Sequence, residues 1–235
     1  MSDGHPPGVA APTAAEATVR VVLFDFDGVL MQGDAFARFV YSRFRRSWWR
    51  LLIAVAMLPP TLPLFAIRSL RMTLVGVFVR ISLLGIGPAR YETLVRAFAA
   101  ELVERPRIFI REGISAMRRH VIEGDRVVIV TGCEETLVRA IFGSIGLHDI
   151  EIIASRLRKG RLGMRKEVHN FGRTKPVQIA RHGIAEPWEI AYSDSSNDIP
   201  MLKCARDPVL VNADAETVRR VERALGRETR KVDWF

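Results

Sequence analysis

The residues in this chain best suited to chemistry are aspartates placed where apolar runs end. Residues 18–25 form a short stretch rich in Val, Leu and Phe that closes on Asp25-Phe26-Asp27-Gly28-Val29-Leu30. With Gly28 letting the chain turn behind them, both carboxylates can face one site. They can then divide a substitution at phosphorus, one attacking while the other carries the proton of the leaving oxygen. Downstream, Thr131-Gly132 offers a hydroxyl and an unhindered backbone N–H to a phosphoryl oxygen. Lys175, opening a predicted helix, offers an ammonium for developing negative charge. In Ser193-Asp194-Ser195-Ser196-Asn197-Asp198, two carboxylates flank a polar turn. They form a donor set suited to hard, oxygen-ligated Mg²⁺. Each signal alone has a plain structural alternative: an Asx turn, a surface lysine, a helix N-cap. Their shared placement at strand and helix ends argues for one site.

The elements that must position these groups follow from the hydrophobic pattern. Segments 126–131 and 189–193 repeat the first run, each closing on polar residues, and 150–154 and 208–211 are further candidate strands. Helical patterns occupy 112–122, 134–144, 174–182, 199–204 and 214–225. Strands alternating with helices predict an α/β fold with a doubly wound parallel sheet, whose ligand site lies beyond the carboxyl ends of the strands. Residues 156–171, rich in Gly, Arg and Lys, read as a hairpin or flap.

Composition bounds the remainder. The chain has 235 residues, 49% of them hydrophobic, ample for a buried core. Cys133 and Cys204 are too few for a disulfide framework, and no Cys or His pattern suits a transition metal. Cys133-x₅-Arg139 has the spacing of a cysteine phosphatase loop, but Glu134 and Glu135 place negative charge where phosphate would sit. Residues 1–17 have neither a basic region nor an apolar core of the signal-peptide kind, and read as a disordered lead-in. A location on the cytoplasmic side is expected.

The net charge of +9 has one source. Between Asp34 and Glu92 there is no Asp, Glu or Lys, yet there are nine arginines; elsewhere acids and bases balance. The interval 32–105 is apolar and shows no strand pattern, so it reads as an inserted helical cap on a core of 18–31 and 106–235. Within it, 48–67 approaches the length of a membrane span but is interrupted by Pro59-Pro60 and Pro63. Prolines breaking the run at its middle would leave two legs of only about 12 Å each. Arginines on both flanks and the Trp48-Trp49 pair suit a hairpin dipping into an anionic membrane surface. No nucleic-acid partner is expected.

The motifs Asp25-Phe26-Asp27-Gly28-Val29-Leu30, Val130-Thr131-Gly132, Lys175 and Ser193-Asp194-x-x-Asn197-Asp198 resemble those of the haloacid dehalogenase-like (HAD) phosphatases. The likeness is to their phosphoserine-phosphatase-like branch. It implies a Rossmann-like core in which Asp25 forms an aspartyl-phosphate and Asp27 is the general acid/base. Thr131 and Lys175 would hold the phosphoryl group, and Gly132, Ser195 and Asn197 would be substrate contacts. Asp25, Asp27 through its backbone carbonyl, and Asp194 would ligate Mg²⁺, with Asp198 supporting or completing that set.

Gln32-x-Asp34-x-Phe36, the Arg-rich cap and Tyr192-Ser193-Asp194-Ser195 look like the phosphatidylglycerophosphatase C type. That likeness implies action on phosphatidylglycerol phosphate, an anionic phospholipid, at the cytoplasmic face of the inner membrane. Three alternatives stay open: a soluble phosphoserine-phosphatase-like enzyme, a sugar phosphomutase and a non-catalytic membrane-binding module.

Overall fold

The computed structural model describes residues 19–67 and 70–234. The lead-in 1–17 lies outside them. Seven strands form one sheet in the order β4-β3-β2-β1-β5-β6-β7. These are β1 (Val21–Phe24), β2 (Arg126–Glu134), β3 (Glu151–Gly160), β4 (Gly163–Val168), β5 (Trp188–Ser193), β6 (Ala205–Val211) and β7 (Arg230–Val232). All pairs are parallel except β3–β4, the antiparallel hairpin expected over 156–171. Strand β1 sits centrally; the chain winds outward through β2 and β3, then crosses to the other side for β5, β6 and β7. This is the doubly wound α/β arrangement with its switch point beside β1.

Five helices from the sequence pattern appear within a residue of their expected ends: α5 (Arg111–Ile122), α6 (Glu135–Ser144), α7 (Thr174–Arg181), α8 (Ile199–Lys203) and α9 (Ala215–Leu225). Strands β2 and β3 run past their apolar stretches: β2 continues through buried Thr131, Cys133 and Glu134, and β3 into a largely exposed, basic end after Ser155. Strand β7, short and largely exposed, carries no pattern that would have marked it.

The interval 32–105 folds as helices α1 (Ala35–Arg45), α2 (Trp48–Thr61), α3 (Arg71–Ser82) and α4 (Pro88–Val103), with a 3₁₀ turn at Pro63–Ala66. It divides in two. Helices α1 and α4 bury Phe39, Tyr91, Val95 and Phe98 in the same apolar cluster as Phe26 and Phe142. Helices α2 and α3 stand against α1 and each other, with most of their large apolar side chains exposed.

The break expected at Pro59-Pro60 falls later. Helix α2 continues through both prolines to Thr61, and the turn comes at Leu62-Pro63. Proline's fixed φ suits a helix, although each ring removes a backbone donor from this last turn. The Thr61 hydroxyl donates to the Met57 carbonyl at 2.7 Å. Fourteen residues give α2 a length of about 21 Å. Among the described residues no helix is long and apolar enough to cross a membrane.

Candidate active site

The site begins with the turn after β1. The Asp25 N–H donates to the Tyr192 carbonyl, fixing β1 against β5, and the chain then closes a loop in which the Gly28 N–H donates to Met31 and the Met31 N–H to Phe26. Gly28 has φ +77°, in the left-handed region, and a β-carbon there would overlap the Asp194 carboxylate. Glycine is therefore required twice, for the turn and for the approach of Asp194. Asp25 is buried, 8% exposed, with Oδ1 accepting from the Phe26 N–H at 2.7 Å.

Lys175 joins the two carboxylate motifs. It is 1% exposed at the start of α7, and its Nζ lies 3.0 Å from Asp25 Oδ2 and 2.7 Å from Asp198 Oδ2. A buried ammonium is tolerated only with such partners. Burial opposes its charge, yet Asp25 and Asp198 hold its pKa above the ordinary lysine value. Asp198 also accepts from the Ser193 hydroxyl at 2.7 Å. Burial works against ionising Asp198, but Lys175 and these hydrogen bonds hold it below the usual carboxylate range. Its visible work is to anchor Lys175.

The other carboxylates are less well compensated. Burial, strengthened by the charge of Asp198, drives Asp25 well above the usual range despite Lys175. Burial and Asp198 raise Asp194 to about 6. Burial raises Asp27 to about 7, although the Ala35 N–H donates to its Oδ1 at 2.9 Å. That N–H belongs to the first residue of α1, while Asp34 accepts from Ala37 in the same turn. The first turn of α1 thus holds Asp27, at a pKa suited to donating and accepting a proton near neutrality.

The structure brings Asp25, Asp194, Asp198 and Lys175 together at the carboxyl ends of β1 and β5. Thr131 is buried in β2 beside β1, its Oγ1 accepting from the Cys133 N–H at 3.0 Å. Phe171 lies 3.6 Å from where a Gly132 β-carbon would stand. Ser195 and Asn197 line the turn before α8, where the Ser195 hydroxyl accepts from both the backbone and the side-chain nitrogen of Asn197.

Three supports escaped the sequence reading. Asn170, fully buried, donates to the carbonyls of Thr131 and Ile153 and so ties the flap to β2 and β3. Glu134 accepts from Tyr91 of α4 at 2.7 Å, linking the helical interval to the end of β2. Ser193, seen only as part of a motif, orients Asp198. The roles of Asn170 and Glu134 depend on contacts between distant segments, and only polarity at the ends of apolar runs hinted at them.

The donor set also tests the expected metal. Two buried aspartates, Asp25 and Asp198, face one ammonium, half-buried Asp194 stands beside them, and the absence of a β-carbon at Gly28 lets the Asp194 carboxylate lie against the loop. An excess of hard carboxylate oxygens fits Mg²⁺. The group of His120, Glu123 and Asp125, whose ligand atoms lie within 4.8 Å of one another, is separate from it. It flanks the amino end of β2, where His120 already bonds Asp125 and the Tyr192 hydroxyl.

Residues 22–203 match the model of the haloacid dehalogenase-like hydrolases. The chain belongs to that family. As a HAD-like hydrolase it is similar to the histidinol-phosphatase of Neisseria meningitidis serogroup C (strain 8013). They are 29% identical over 163 residues, 60% of this chain and 68% of that one. It is 30% identical to Protein CicA of Caulobacter vibrioides over 191 residues, covering 79% of this chain and 82% of the other. Its HAD fold matches that of a phosphoserine phosphohydrolase-like protein from Francisella tularensis subsp. tularensis SCHU S4. The TM-score is 0.58 at 14% identity, over 91% of this chain and 94% of that chain.

Proposed function

We propose that this HAD-like hydrolase is a phosphomonoester phosphatase that works through an aspartyl-phosphate on Asp25. The carrying observation is the Asp25–Lys175–Asp198 arrangement at the end of β1, roofed by Asp194 over Gly28. Asp25 Oδ attacks phosphorus, the bond from phosphorus to the ester oxygen breaks, and Asp27 gives that oxygen its proton. Asp27 then takes a proton from water as the water attacks the phosphoaspartate, releasing inorganic phosphate and restoring Asp25. Lys175 and the Thr131 hydroxyl, with the Gly132 N–H, hold the phosphoryl oxygens. Asp25, Asp194 and the Asp27 carbonyl would hold Mg²⁺, whose charge favours ionised Asp25 and offsets that of the phosphoryl group.

For the substrate we propose phosphatidylglycerol phosphate. Supporting this reading, the stretch between Asp34 and Glu92 supplies arginines but no carboxylate to receive a substrate amine. Phosphoserine and histidinol phosphate both carry an amine, and they are the competing class.

Phosphate release from the three compounds, with Mg²⁺ and with chelator, tests both levels. The lipid should be preferred, the chelator should abolish turnover, and Asp25→Asn should lose at least about a thousandfold in activity. Activity confined to phosphoserine or histidinol phosphate overturns the substrate assignment. Full activity of Asp25→Asn overturns the mechanism.

A further inference from the structure

Helix α2 is inside out for a protein surface in water. Its buried positions are Arg50, Ala54 and Thr61, whereas Trp48 is 74% exposed and Leu52, Val55 and Leu58 are exposed with it. Fourteen of the twenty-one exposed large hydrophobic side chains among the described residues fall between Trp48 and Val75. A continuous apolar face of this kind marks an interaction surface.

Beneath that face lies positive charge without a counterion. Arg43 and Arg50 are 8% and 9% exposed, and the Nε of each is buried with no hydrogen-bond partner. Arg50 donates to the Ser47 hydroxyl and the Leu84 carbonyl and lies 4.3 Å from the Trp49 ring centroid; no acid among the described residues pairs with it. Arg43 has no hydrogen-bonding or acidic partner among the described residues. Burial and then the charges of Arg50, Arg90 and Arg46 push its guanidinium below the ordinary arginine range. Nearby, Arg46 pairs with a carboxylate, Glu101 of α4.

We propose that the outer face of α2, the 3₁₀ turn and α3 docks in the plane of an anionic phospholipid bilayer, with lipid phosphates meeting the exposed arginines of this acid-free stretch, Arg45 and Arg71. The apolar side chains enter the acyl boundary, which reaches about 5–10 Å below the headgroups for a helix lying in the interface. Arginines are suited to forked contacts with phosphate. A second copy of the chain is a poorer occupant, because two such faces would bring unneutralised arginines together. The proposal deepens the lipid-phosphatase reading but is separable from it, since docking requires no turnover.

Flotation of the full chain with vesicles tests it, comparing phosphatidylcholine alone with an equal mixture of phosphatidylcholine and phosphatidylglycerol. The chain should float with the mixture and much less with phosphatidylcholine. Trp48→Glu combined with Leu52→Glu should reduce binding at least about tenfold while leaving hydrolysis of a soluble aryl phosphate intact. Arg45→Gln with Arg71→Gln, both exposed, should reduce it by about fivefold per arginine. Asp25→Asn should float like the native chain, so failure of the catalytic reading leaves this result standing. The proposal is overturned if the native chain does not bind the mixed vesicles. It is overturned equally if light scattering shows a dimer that Trp48→Glu dissociates and neither form floats.

Discussion

Helices α9 and α2 are eleven and fourteen residues long, and they sort their residues in opposite senses. Helix α9 buries Val221, turns Glu216, Arg219, Arg220 and Arg223 outward, and is capped by Asp214, which accepts from the Thr217 N–H, and by Gly226 in the left-handed region. Helix α2 turns Trp48, Leu52 and Val55 outward and Arg50 inward, and its Ser47 makes no side-chain capping bond. The first pattern is the one water imposes on a helix packed against a core. The second is not stabilised by water, and its placement away from the catalytic groups separates two jobs: the sheet and its helices position chemistry, and α2–α3 provide a surface. Helices α1 and α4 connect them, through Asp27 held by Ala35 and Glu134 held by Tyr91.

The comparison can be broken most forcefully at Lys175. Lys175→Met should lower kcat by about a hundredfold or more, because the phosphoryl charge loses its ammonium. It should also destabilise the fold by about 3–5 kcal/mol, since the buried Asp198 loses the cation that balances its charge. Chemical denaturation and steady-state kinetics read both; little change in either would remove Lys175 from the centre of the site.

Next comes packing. Phe98→Ala, within the cluster shared by α4 and α6, should cost about 3–5 kcal/mol. Leu52→Gln, on the outer face of α2, should stay within about 0.5 kcal/mol in lipid-free buffer. Equal costs would mean that α2 is packed like the core.

The smallest effect is electrostatic. Asp27 and Asp194, raised by burial to about 7 and about 6, bind protons more tightly folded than unfolded. Their contribution to stability is complete below the unfolded carboxylate range and is lost as pH rises through those values. The rise in melting temperature on adding Mg²⁺ to chelator-treated protein should therefore be larger at about pH 8 than at about pH 5. A gain independent of pH would contradict the assignment of the Asp194 carboxylate to the cation.

Much of the catalytic half was legible in the sequence for one reason: a buried parallel strand reads as an apolar run, and polar residues at its end mark the ligand side. Asp25, Thr131 and Asp194 announce themselves that way, and Gly28 marks the turn. Asn170 and Tyr91 do not, because their partners Thr131 and Glu134 lie 39 and 43 residues away. The continuation of α2 through Pro59-Pro60 was hidden because proline's fixed φ is compatible with a helix, so its missing donor alone does not say where the helix ends. The division of 32–105 was equally hidden, since apolar composition alone does not distinguish Phe98, which enters the core, from Leu52, which does not.

The central claim is that Asp25 carries the phosphoryl group during turnover. Rapid acid quenching of the Mg²⁺-loaded enzyme with its substrate, followed by peptide mass spectrometry, tests it most directly. One added phosphoryl group should appear on the peptide containing Asp25 and disappear in Asp25→Asn. A phosphoryl group found instead on Cys133, or none in an enzyme that is turning over, would contradict it.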